Sequence, residues 1–116
     1  MTLEELRQYC ITKKGVTESF PFDEETLVFK VLDKMFLLTN ITPPLSINIK
    51  CDPEKIFELI EDYEEVGPGY HMNKKHWITV DLEGKLKDNL VKSWVDNSYD
   101  LVVRGLPKIR QKELGI

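Results

Sequence analysis

The chain reads as an α+β fold in two layers, an antiparallel sheet with helices on one face. Two patterns predict it. Several short stretches alternate apolar and polar residues with the period of half-buried strands, and consecutive ones lie close enough to pair as hairpins. The stretches around them carry apolar residues at helical spacing, which supplies the covering layer. The expected order is α-β-β-β-α-β-β-α-α, in a single domain over residues 1–116.

The first helix opens at Thr2. Thr2 and Glu5 have the spacing of a capping box, and Leu3, Leu6 and Cys10, with Tyr9 beside them, share one face. Lys13, Lys14 and Gly15 suit its C-terminal end. TLVFKVLD (26–33) alternates, and Asp33-Lys34 forms a tight turn into KMFLLTNI (34–41). Thr42-Pro43-Pro44 breaks the chain, and LSINIKC (45–51) alternates again. Asp52 caps and Pro53 starts the next helix, whose stripe is Ile56, Phe57, Leu59, Ile60 and Tyr63. HWITVDL (76–82) sets Trp77, Thr79 and Asp81 opposite Ile78, Val80 and Leu82, and residues 66–70 are placed to pair with it. The last third is helical, with Leu90, Val91, Trp94 and Val95 on one face. A stutter at Asp96-Asn97-Ser98 predicts a second helix capped by Ser98 and ended by Gly105 and Pro107.

Composition narrows the function classes. The chain has 116 residues, 31% of them charged, and a net charge of −4. The acidic balance argues against a generic polyanion binder, and the distribution is uneven. Residues 1–69 hold seven Lys+Arg against fourteen Asp+Glu, and residues 70–116 hold nine against six. No apolar run is long enough to span a bilayer, and the N-terminus lacks the pattern of a signal peptide. The expectation is a cytoplasmic protein with no membrane partner. Cys10 and Cys51 are expected as two buried apolar residues, without a disulfide.

The densest chemistry lies in GPGYHMNKKHW (67–77). Lysines neutralise phosphates, asparagine can read an adenine edge, and aromatic rings stack on bases. Tyr70, His71, Asn73, Lys74, Lys75, His76 and Trp77 are therefore candidate binding residues, with Gly67-Pro68-Gly69 shaping the backbone and Trp77 rooted in the core. Arg104, Lys108, Arg110 and Lys112 add basic residues in the tail. The acidic FPFDEET (20–26) reads as a solvated turn at a sheet edge. Two histidines without further ligands give no metal site, and no nucleophile motif or phosphate-cradling glycine loop occurs. Adjacent Asp23, Glu24 and Glu25 could in principle serve acid/base chemistry or bind a cation, and His71, Lys75 and Ser98 could converge as a catalytic site, but no enzymatic activity is expected.

GPGYHMNKKHWITV, FPFDEETLVFKV followed by MF, and SYDLVVRGLPKIR together resemble the MmcQ/YjbR family along essentially the whole chain. The resemblance implies a small bacterial α+β domain with a YjbR-like, secretion-chaperone-like layout. It also implies DNA binding through a double-wing motif, and it carries over no cofactor and no reaction. The positions it carries are Tyr70, His71, Asn73, Lys74, Lys75, His76 and Trp77, together with Ser98, Tyr99, Lys108 and Arg110. The alternative is a domain that binds another protein or a small anionic molecule and no nucleic acid.

Overall fold

The computed structural model describes residues 1–70 and 72–116. Its elements are α1 (Leu3–Ile11), β1 (Val16–Ser19), β2 (Thr26–Val31), β3 (Lys34–Asn40), β4 (Ser46–Lys50), α2 (Pro53–Asp62), β5 (Val66–Pro68), β6 (Trp77–Asp81), α3 (Asp88–Arg104) and α4 (Lys108–Glu113). The six strands form one antiparallel sheet in the order β1-β2-β3-β4-β6-β5. The α+β class and the single helical layer stand as expected. The order gains one strand, β1, whose VTES sequence carries little apolar signal. Its Glu18 faces the helices and is held by Arg7 of α1 through a two-pronged ion pair.

Strand parity divides the side chains. Phe29, Leu37, Ile47, Ile49, Ile78 and Val80 turn to one face, where they meet Leu6 and Cys10 of α1, Ile56 of α2 and Val91, Val95 and Val102 of α3. This is the main core. Both bonds of the predicted capping box are present at α1, Thr2 N to Glu5 Oε1 at 2.9 Å and Glu5 N to Thr2 Oγ1 at 3.1 Å. Both cysteines are buried and unpaired.

The structure departs from the sequence reading at the β2–β3 turn, in the last helices and in β3. The β2–β3 turn falls on Leu32 and Asp33, with φ of 45° and 72°, one residue before the predicted Asp33-Lys34. Two residues with φ > 0 suit a two-residue hairpin, because they match the twist of the strands. The helix does not stop at Asp96-Asn97-Ser98: α3 runs unbroken to Arg104, and the second helix is the short α4 in the tail. Ser98 is fully buried against the sheet inside α3, so its hydroxyl meets the sheet and caps no helix. Finally, β3 carries a bulge. Phe29 pairs with Leu37 and Lys30 with Met35, which leaves Phe36 as the extra residue. The bulge buries Phe36 beside Leu37 in the main core.

Candidate nucleic-acid interface

The 69–77 loop is built by its own backbone and by Asn73. Gly69 N–H donates to Trp77 O at 3.1 Å and Met72 N–H to Gly69 O at 3.1 Å. The Asn73 carboxamide oxygen accepts from Lys75 N–H at 2.8 Å, and its carbonyl accepts from His76 and Trp77. Asn73 thus shapes the tip, and Lys74, Lys75 and His76 stand exposed on it. Tyr70 is also exposed; its N–H donates to Thr79 Oγ1, whose hydroxyl donates to Asn48 Oδ1 at 2.7 Å. His71 lies outside the described residues.

Glycine is required at one position here. A Cβ on Gly69 would stand 2.8 Å from Trp77 Cβ and 2.9 Å from Trp77 O. At Gly67 the nearest atoms, from the Tyr70 ring, would be an ordinary 3.6 Å away.

Trp77 is buried, as expected, but not in the main core. It pairs with Lys50, on the opposite parity from Ile78, and so faces away from the helices. There it packs with Val28 and Leu38, flanked by Met35 and Met72. The uncovered face of the sheet has three rows. Lys30, Met35, Lys50 and Trp77 lie at one end, Val28, Leu38, Asn48 and Thr79 across the middle, and Thr26, Asn40, Ser46 and Asp81 at the other end. A groove of about 480 Å³ runs over this face between Phe22, Met35 and Met72, with Leu38 in its lining. The alternation gave the rows, but the groove needed the fold, because Phe22 and Met72 reach it from loops.

The register also sorts charge by sheet end. One end gathers the start of β1, the β2–β3 turn, the end of β4 and the start of β6. It carries Lys13, Lys14, Lys30, Lys34, Lys50, Lys74 and Lys75, against Asp33 in the turn and Asp52 after β4. The other end gathers Asp23, Glu24 and Glu25 before β2, Glu64 and Glu65 before β5, and Asp81 and Glu83 at the end of β6. Of the basic-end lysines, Lys13 is held by Asp96, whereas Lys30, Lys34, Lys50, Lys74 and Lys75 make no ion pair among the described residues. The acidic turn is ordered by Asp23, which accepts from the Glu25 and Thr26 amides, and these bonds hold its carboxyl below its ordinary range.

The remaining candidates lie outside the loop. Ser98 Oγ donates to Phe36 O at 2.6 Å and accepts from Lys50 N–H at 2.9 Å, joining α3 to the bulge and to β4. Tyr99 packs edge-on against Phe36 and donates its hydroxyl to Lys14 O. Arg110 donates to Leu32 O and reaches Asp33 and Glu113, fastening α4 to the β2–β3 turn. That turn belongs to the basic end, so Arg110 reaches this end from α4, with β3 and β4 between the turn and β6, while Lys108 is exposed at the start of α4. Ser98 and exposed Lys75 share no hydrogen bond, and the Ser98 hydroxyl is already engaged on both sides.

Among the described residues no three His, Cys, Asp or Glu are grouped to hold a metal ion. Burial pushes the Cys10 thiol up to about 12, which disfavours the nucleophilic thiolate. No described helix is long and apolar enough to cross a membrane.

Comparison with known proteins fits this architecture. The model of the YjbR family matches residues 11–101. The uncharacterized protein YjbR of Escherichia coli is 36% identical over 115 residues, covering 98% of each chain. The uncharacterized protein YbdF of Escherichia coli O157:H7 is 40% identical over 96 residues, 82% of this chain and 79% of its own. A crystal structure of a Deinococcus radiodurans protein with the DUF419 domain superposes with a TM-score of 0.91 at 44% identity, over 99% of this chain and 88% of that one. With a family model spanning most of its length and relatives alike nearly end to end, the chain belongs to the YjbR family.

Proposed function

We propose that this chain is a non-catalytic DNA-binding module that meets phosphates with the basic end of its sheet. The observation that carries the reading is the charge separation along the strands. A net charge of −4 conceals an end where Lys30, Lys34, Lys50, Lys74 and Lys75 are free of ion pairs among the described residues. The acidic end orients the molecule, repelling a polyanion from one side while the lysines attract it to the other. Lys74 and Lys75 are exposed on a tip held by Asn73.

Fluorescence anisotropy of a labelled duplex, titrated over a range of potassium chloride concentrations, tests this. Binding should weaken linearly in log–log form as salt rises. Lys74→Ala/Lys75→Ala should flatten the slope by about 0.9 for each phosphate that the variant no longer neutralises. Binding that ignores salt, or a slope unchanged in the double variant, refutes the reading.

A second reading is a protein or small anionic ligand. It is favoured by a cavity of about 400 Å³ between α2 and α3, lined in part by Lys55, Trp94 and Asn97. Partners captured from nuclease-treated lysate and lost on Lys55→Ala would support it over DNA.

A further inference from the structure

We propose that the uncovered face of the sheet receives an unstacked base, so that the preferred ligand is a single strand. This rests on the nucleic-acid reading above and names the form of the ligand. The basic end is continuous with the groove. Lys30 and Lys50 lie in the same end row as Met35 and Trp77, and Met35 is also a wall of the groove. A chain whose phosphates sit on those lysines therefore passes directly over an apolar recess.

The recess has the character of a base site. Its volume of about 480 Å³ falls in the range of small-molecule clefts. Leu38 is apolar floor, and Phe22, 64% exposed, stands at the rim with a ring free to stack. Polarizable Met35 and Met72 flank the floor and adapt to a flat ring. Asn48 accepts from Thr79 with its carboxamide oxygen, and its carboxamide NH2 has no partner among the described residues, which leaves a donor for a base edge. A duplex keeps its base faces stacked and offers only edges and phosphates, so it can use the lysines but not this recess. The acidic far end, with Asp23 in the lining, makes the recess a poor seat for a phosphate and fits a neutral base.

The test compares anisotropy of the full chain with a labelled thymidine oligomer, the same oligomer with internal abasic sites, and a duplex of equal length. The intact single strand should bind tightest, and the abasic strand, which keeps every phosphate, should bind about fivefold more weakly or worse. Phe22→Ala should cost the single strand a similar factor and leave the duplex unchanged, and Phe22→Trp should restore binding. Phe22 is exposed, so these variants leave the core intact. The ribose counterpart of the oligomer tells whether DNA or RNA is the source, and a preference for either sugar supports a single strand. Equal binding of abasic and intact strands, or no effect of Phe22→Ala, overturns the proposal. If salt sensitivity and lysine dependence persist in that case, the basic-end reading survives; if no probe binds in a salt-sensitive way, both fall.

Discussion

Replacing Ser98 with alanine tests whether this residue is a structural tie or a ligand-binding residue. Its hydroxyl is wholly enclosed and bridges Phe36 O and Lys50 N–H at 2.6 and 2.9 Å. Alanine leaves a carbonyl and an amide without that partner beside a bulge, and each such loss costs about 1–3 kcal/mol. Better helix propensity returns up to about 0.5 kcal/mol. The net expectation is a loss of about 2–5 kcal/mol. In urea titrations followed by circular dichroism, the midpoint should drop by roughly 1–2 M at constant m. DNA affinity, measured at low denaturant where the variant is folded, should be unchanged. A midpoint that stays put, or an affinity that falls while stability holds, would refute the bridging role.

Other perturbations follow from the same geometry. Gly69→Ala should destabilise by about 1–3 kcal/mol in thermal or urea unfolding, because its Cβ would press on Trp77, whereas Gly67→Ala should cost less than about 1 kcal/mol. Equal effects at the two glycines would contradict the packing described for the loop. In alkali, burial raises Cys10 from 9.0 to about 12, and burial with the Asp96 hydrogen bond raises Tyr9 from 10.0 to about 12. Both protons are held more tightly in the folded chain, so their stabilisation is complete below pH 9 and falls away towards pH 12. Urea midpoints measured across that window should decline, and Tyr9→Phe should make the decline shallower above pH 10; a flat profile would contradict the burial of α1.

Much of the fold was legible because parity and helical spacing are read directly from side chains. Leu45, Ile47 and Ile49 announced β4, and Thr2 with Glu5 announced the start of α1. β1 was missed because a short edge strand is held by pairing with β2 and by Arg7, neither of which leaves an apolar pattern. The break predicted at Asp96-Asn97-Ser98 failed for a tertiary reason. Residues with weak helix propensity were kept helical by what they touch, Asp96 by Tyr9 and Lys13, and Ser98 by the bulge. The loop motif was visible as a cluster, but its division of labour was not. Asn73 and Trp77 shape and anchor it, leaving Lys74 and Lys75 outward. The charge pattern was seen as a split along the chain. The register shows it as a split across the sheet, which no linear count reveals.

The most direct measurement is a map of backbone amide chemical shifts as a short DNA oligomer is added to isotope-labelled protein. Binding at the basic end predicts shifts at Lys30, Lys34, Lys50 and Lys74 to Trp77 that shrink as salt is raised, with Glu64, Glu65, Glu83 and Lys85 unmoved. Shifts centred on the acidic end, or none on the basic end at low salt, would contradict it.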